Sequence, residues 1–324
     1  MGINQETTIV KYIIRLQVTK ITDNLQLEAS MNKIKNYLSL VKFSHTIFAM
    51  PFAMIGFCLG VIKNETLTYS APVYIRYGIP FVLVLVCMVT ARSAAMAFNR
   101  YLDRSFDAKN PRTAIREIPK GIISANSALR FVILNCLLFT VATWFINTIC
   151  FFLSPVALFV ILFYSFTKRF TALCHLVLGL GLSLAPIGAY LAVTGVFALV
   201  PVFFSLAVIF WVSGFDIIYA LQDEEFDKSN DLYSIPSRLG KVKALRVSEM
   251  LHIVSAACVI AAGYYGHFHW IYWIGIAVFV TMLVYQHSLV KPNDLSKVNI
   301  AFMTANGIAS VVFAVLVIAD LFVF

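Results

Sequence analysis

The chain has 324 residues, of which 60% are hydrophobic and only 13% charged, with a formal net charge of +9. Ordinary soluble domains carry roughly 25% charged residues, and a mean hydropathy of +0.84 leaves more apolar surface than soluble cores can bury. That excludes a soluble protein and leaves a polytopic membrane one. The positive charge is no nucleic-acid footprint either, because the basic residues lie between apolar runs rather than along one face.

The first forty residues lack the apolar core of a signal peptide. Residues before Met31 carry no pattern, and Met31 is itself a candidate start. Over Asn32–Phe43, Ile34, Tyr37, Leu38 and Val41 recur at helical spacing. Such a helix suits the membrane surface or an amphipathic lead-in to the first span. Residues 1–44 therefore read as a cytoplasmic N-terminal segment with an interfacial helix, and 45–324 as one transmembrane domain.

Apolar runs of about 20 residues predict an all-α protein with nine transmembrane helices. They are His45–Ile62, Tyr77–Phe98, Ala125–Ile146, Ile149–Phe166, Ala172–Thr194, Leu199–Leu221, Val247–Tyr265, Trp270–Gln286 and Ile300–Phe322. The third and fourth nearly merge, with Asn147-Thr148 as the turn between them. With nine spans, all 25 basic residues except Lys63, Arg76 and Arg92 fall on one side. Positive charge marks the cytoplasmic face, which puts the N-terminus inside and the C-terminus outside. The six cysteines lie in or beside apolar runs without a CxxC pair, so neither a disulfide nor zinc is suggested.

The acidic residues carry the chemistry, because nine of the sixteen cluster in or just after two segments. The first reads Asn99-Arg-Tyr-Leu-Asp103-Arg-Ser-Phe-Asp107, the second Asp216-Ile-Ile-Tyr219-Ala-Leu-Gln-Asp223-Glu-Glu-Phe-Asp227. Each leaves an apolar span at its cytoplasmic end with oxygen ligands every four residues. A step of four turns a helix by only about 40°, so Asn99, Asp103 and Asp107 share a face, as do Tyr219, Asp223 and Asp227. Hard carboxylate oxygens suit Mg²⁺, whose other sites go to water and substrate phosphate. Adjacent basic residues, including Arg104 and Arg116, point to a phosphorylated anion. Surface salt bridges would explain one such cluster, but two with the same spacing argue for a site. A weak echo, Ile118-Pro-Lys-Gly after the first and Ile235-Pro-Ser-Arg after the second, hints at two related halves.

These residues resemble the UbiA superfamily of intramembrane aromatic prenyltransferases from about Lys35 onward, most closely its 4-hydroxybenzoate polyprenyltransferase branch and menaquinone-pathway relatives. The match is carried by the Asn99–Asp107 motif, its continuation Asn110-Pro-Arg-Thr-Ala with Arg116-x-Ile-Pro-x-Gly121, and the Asp216–Asp227 motif. Ser44-His-Thr-Ile-Phe-Ala-Met-Pro-Phe-Ala and Tyr164-Ser-Phe-Thr-Lys-Arg169 support it. The resemblance implies nine helices around a central cavity in a bacterial inner membrane, and transfer from a polyprenyl diphosphate to a small aromatic acceptor. That acceptor is 4-hydroxybenzoate for ubiquinone or a related menaquinone-pathway precursor. It further implies Mg²⁺ on Asp103, Asp107, Asp223 and Asp227, and substrate or diphosphate contacts from Asn99, Asp216, Tyr219, Lys168 and Arg169. Glu224 and Glu225 exceed what the second motif needs, leaving two alternative carboxylates there.

The implied reaction ionises an allylic diphosphate and lets an electron-rich ring attack the cation. It needs a dry cavity, and aromatic faces stabilise the cation. Arg92, inside a span where an unpaired charge is expensive, reads as a cavity residue. Asp320 reads as solvated or interfacial, and Gly179, Gly181 and Gly188 as helix packing. A transporter is the main rival, though transport pathways favour polar residues near the bilayer midplane. A membrane phosphatidyltransferase is the second, but Ala108 stands where its motif needs glycine.

Overall fold

The structure is a computed structural model and describes residues 31–42, 48–65 and 74–324. A short helix, α1 (31–40), precedes the membrane helices. These are α2 (Met50–Glu65), α3 (Ile79–Leu102), α5 (Ala125–Ile146), α6 (Thr148–Thr167), α7 (Cys174–Thr194), α8 (Leu199–Ala220), α10 (Ile235–Tyr265), α11 (Trp270–Leu289) and α12 (Asn306–Val323). Six-residue helices α4 (Arg104–Lys109) and α9 (Glu224–Ser229) follow α3 and α8. Among the described residues no strand forms; lipid cannot satisfy an open sheet edge, whereas a helix satisfies its own backbone.

Among the described residues eight helices are long and apolar enough to cross a membrane, and α2, at 16 residues, is a shorter apolar ninth. The predicted first span began at His45, which lies outside the described residues, as do residues 1–30. The seventh span starts earlier than its predicted Val247, at Ile235. Hydropathy detects only the part in hydrocarbon, and the first turns of α10 carry Arg238, Lys241, Lys243 and Arg246. Gly240 breaks this stretch with φ +75°, a conformation open to glycine.

The predicted Asn147 turn is present. Its carboxamide oxygen accepts the Cys150 N–H at 2.9 Å, capping α6, while its Nδ2 donates to the Leu191 carbonyl at 2.8 Å. Helices α2 and α7 cross where Gly56 lies against the Pro186 backbone and Gly60 against Val193, small residues one turn apart that let two helices approach closely. An aromatic core of Phe52, Phe204, Trp211, Tyr272, Phe279 and Phe313 ties α2, α8, α11 and α12 together. Outward, Phe145 and Phe152 are 67% and 70% exposed, a surface suited to lipid rather than water. Helix α1 docks through Leu40 against Ala94 and Ala97 of α3 and Ala128 and Val132 of α5, leaving Met31, Ile34 and Leu38 outward.

Asp320 is buried rather than solvated. Its carboxylate accepts the His269 and Tyr272 N–H groups at 2.9 and 3.1 Å, capping the start of α11. Asp320→Ala is expected to cost about 0.5–2 kcal/mol and to lower the unfolding temperature in detergent; an unchanged midpoint would contradict this cap.

Candidate active site

Both acidic segments leave the membrane by the same device. Helix α3 ends at Leu102, the backbone breaks at Asp103 (φ −86°, ψ 4°), and α4 follows, closed by Asn110. Helix α8 passes through a 3₁₀ turn, Leu221–Asp223, breaks at Asp223 (φ −105°, ψ 5°), and continues as α9, closed by Asn230. The break does not lose the register: Asp103 N–H donates to the Asn99 carbonyl at 2.9 Å and Asp107 N–H to the Asp103 carbonyl at 2.8 Å. The downstream Ile-Pro echo differs in structure between the two: Ile118-Pro119 lies in a turn, whereas Ile235-Pro236 opens α10.

The carboxylates are each met by donors from other segments. Asp103, buried, receives Arg169 at 2.8 Å, Lys168 at 3.4 Å and the Asn99 Nδ2 at 3.2 Å. Asp107, also buried, receives Arg116 at 2.7 Å through Oδ1, while its Oδ2 has no hydrogen-bond partner among the described residues. Asp223 is gripped by the Arg112 guanidinium, with Nε at 2.9 Å from Oδ1 and Nη2 on Oδ2, and by Asn110 Nδ2 at 3.1 Å. Arg112 Nη1 also donates to the Tyr219 hydroxyl at 3.0 Å. Burial opposes the Arg112 charge, but the Asp223 hydrogen bonds and charge outweigh it, and its pKa is raised. Asp227 accepts the Ser234 hydroxyl at 2.9 Å.

Asp216 faces a residue that the motifs did not flag. His175 Nε2 accepts the Ile235 N–H at 3.3 Å, so Nδ1 carries the proton and donates to Asp216 Oδ2 at 2.7 Å. Asn110 and Arg112 were likewise unassigned, although both stand in the Asn110-Pro-Arg-Thr stretch, whose two polar side chains were the available signal. His175 had none, being a lone histidine at the head of an apolar run. Arg104 does not join the cluster: it is exposed, its Nη1 donates to the Tyr101 carbonyl at 2.7 Å, and its guanidinium lies over the Tyr101 ring. Of the two extra acids, Glu225 is exposed, while Glu224 is occupied by Lys228 at 2.5 Å and Lys241 at 4.0 Å.

An apolar cavity of about 380 Å³ lies among α3, α5, α6 and α7. Two of its lining residues tie it to the acidic cluster. Tyr164 is one helical turn before Lys168, and Arg92 is two turns, roughly 10 Å of axis, before Asn99. The Arg92 Nε has no hydrogen-bond partner among the described residues.

The acidic segments, their basic partners and the cavity between α3 and α7 all fall within residues 48–308, which match the sequence profile of the UbiA prenyltransferase family. The chain belongs to this family. It is an integral-membrane prenyltransferase, and the transporter and phosphatidyltransferase readings fall away. UbiA-family relatives include the 4-hydroxybenzoate octaprenyltransferase of Francisella tularensis subsp. novicida, 30% identical over 258 residues that span 78% of this chain and 89% of the relative. The enzyme of the same name from Tolumonas auensis is 29% identical over 246 residues, 75% of this chain and 86% of that one. Among solved structures, an apo UbiA homologue from Aeropyrum pernix K1 superposes with a TM-score of 0.71 at 28% identity, covering 86% of this chain and 97% of the homologue. A UbiA homologue from Archaeoglobus fulgidus bound to GPP and Mg²⁺ shares the fold, with a TM-score of 0.66 at 22% identity over 88% and 99% of the two chains.

The UbiA-type residues of this chain fit a hard divalent cation. The ligand set is carboxylate oxygen, and the Asp107 Oδ2 is buried with a free acceptor. Among the described residues no three acidic, His or Cys side chains converge on one point.

Proposed function

We propose that the protein transfers a polyprenyl group from polyprenyl diphosphate to 4-hydroxybenzoate, releasing diphosphate, as a step in respiratory quinone synthesis. The observation that carries a carboxylate-bearing acceptor is Arg92. A guanidinium with an unpaired Nε at the wall of an apolar cavity is costly unless an anion meets it, and a benzoate carboxylate supplies one. The names of the Francisella and Tolumonas relatives support the same acceptor.

Asp103, Asp107, Asp223 and Asp227 are the proposed Mg²⁺ ligands, with Asn99 orienting Asp103 and Tyr219 and Asp216 bordering the substrate. Mg²⁺ bound there would neutralise charge on the departing diphosphate. Lys168, Arg169, Arg116 and Arg112 already stand on these carboxylates. They are the donors for diphosphate oxygens, stabilising the charge that grows as the allylic C–O bond breaks. The apolar walls below keep water from the allyl cation. The Tyr164 and Phe139 faces in the lining are available to the cation and the tail. The charge pattern supports a cytoplasmic N-terminus, with α1 on the membrane surface and residues 45–324 as the enzyme domain, and the bacterial relatives support the inner membrane as the location.

The test is radiolabelled octaprenyl diphosphate with Mg²⁺ in membranes, offered 4-hydroxybenzoate, 1,4-dihydroxy-2-naphthoate and phenol in parallel. Label on 4-hydroxybenzoate is expected; equal labelling of phenol would remove the carboxylate from recognition, and label on the naphthoate alone would move the enzyme to the menaquinone branch. Arg92→Ala is expected to raise the KM for 4-hydroxybenzoate about 10–100-fold, the value of a charged hydrogen bond of roughly 1.5–3 kcal/mol. The KM for prenyl diphosphate should not change.

A further inference from the structure

Three glycines of α7 do different work. A Cβ built on Gly179 would stand 2.4 Å from the Ile209 carbonyl oxygen and 2.6 Å from the Ser213 Oγ, so Gly179 is the helix-packing residue that the sequence suggested. The other two are not. A Cβ on Gly181 would meet only Ile161, at 3.7 Å, and one on Gly188 would meet nothing within 4 Å. Both line the apolar cavity. The helix explains the split: two residues turn it by about 200°, putting Gly179 and Gly181 on opposite faces, whereas seven bring Gly181 and Gly188 back into line.

We propose that Gly181 and Gly188 set the length of prenyl tail that the cavity accepts, Gly181 near the reacting end and Gly188 further along. This rests on the prenyl-transfer reading above. His175, beside Asp216, marks the end of α7 at the acidic cluster. Gly181 is six residues beyond it, about 9 Å of axis, and Gly188 thirteen, about 20 Å. The cavity follows α7 over this whole run, from Leu178 to Ala192, and α3 from Val84 to Met96. A tail laid along it passes Gly181 first and reaches Gly188 only if it is long. At each point the missing side chain is part of the channel, because the space that it would fill is open. A leucine at either position therefore acts as a stop. Neither glycine has a positive φ among the described residues, and leucine is the better helix former, so the backbone tolerates the change.

The experiment measures binding of tritiated geranyl, geranylgeranyl and octaprenyl diphosphate to the full chain in phospholipid nanodiscs with Mg²⁺. Wild type, Gly188→Leu, Gly181→Leu and Gly181→Ala are compared. Gly188→Leu is expected to keep geranyl diphosphate within about twofold of wild type and to weaken octaprenyl diphosphate at least tenfold. Gly181→Leu should weaken all three, and Gly181→Ala should retain geranyl binding, showing that the position tolerates a side chain. Unchanged octaprenyl binding in Gly188→Leu would overturn the proposal, since the tail would then leave the protein before that turn. So would a loss in Gly188→Leu that is equal for all three lengths. Wild-type protein that binds none of the three would overturn the prenyl-transfer reading and the inference together.

Discussion

Asparagine in place of Asp223 is expected to slow prenyl transfer about a thousandfold or more while leaving the protein folded. A metal ion contributes several kcal/mol to a reaction that sheds a charged leaving group, and about 4 kcal/mol corresponds to a factor of about a thousand. Asn keeps the size and one acceptor oxygen but loses the charge that a cation needs. Asp223 is the cleaner test of the two motifs, because its side chain is 20% exposed and it keeps Asn110 as a neighbour. Asp103→Asn should be as inactive but also less stable, since it leaves Lys168 and Arg169 facing a neutral amide in a buried position. Turnover and thermal unfolding, measured on the same preparations, separate the two effects. Wild-type turnover in both variants would remove the carboxylates from the metal site.

Gly56→Leu is expected to prevent stable folding, and even Gly56→Ala to cost about 1–3 kcal/mol. An added Cβ would sit 2.0 Å from the Pro186 carbonyl oxygen, a backbone atom that cannot rotate away. Helices α2 and α7 would have to separate, and α7 also walls the cavity. Folded yield in detergent and the unfolding midpoint read this directly. Wild-type stability of Gly56→Ala would show that the α2–α7 crossing is looser than described. Gly188→Ala, which meets only open space, provides the contrast and should leave the midpoint unchanged.

The spans were legible in the sequence because desolvation depends on composition alone, and twenty apolar residues have one solution in lipid. The first acidic motif was legible because its four-residue spacing survives the backbone break at Asp103, and the second because it repeats that spacing in the sequence. Partners that arrive from elsewhere in the chain were not. Arg112 reaches Asp223 across 111 residues, while Arg104, adjacent to Asp103, turns back onto Tyr101. Proximity in sequence therefore gave the wrong cation. The glycines of α7 were ambiguous for a related reason: a helix that is apolar all round carries no mark of which face meets a neighbour and which meets a cavity. Asp320 was misjudged because its partners are backbone N–H groups of a different helix, which no side-chain pattern records.

Metal-dependent transfer is tested most directly by counting both products from purified protein in bilayers, with octaprenyl diphosphate and 4-hydroxybenzoate as substrates. The expected result is one diphosphate released per prenylated acceptor, abolished by a chelator and restored by Mg²⁺. Transfer that persists in the chelator, or diphosphate released with free octaprenol and no prenylated acceptor, would contradict the assignment of the two acidic segments.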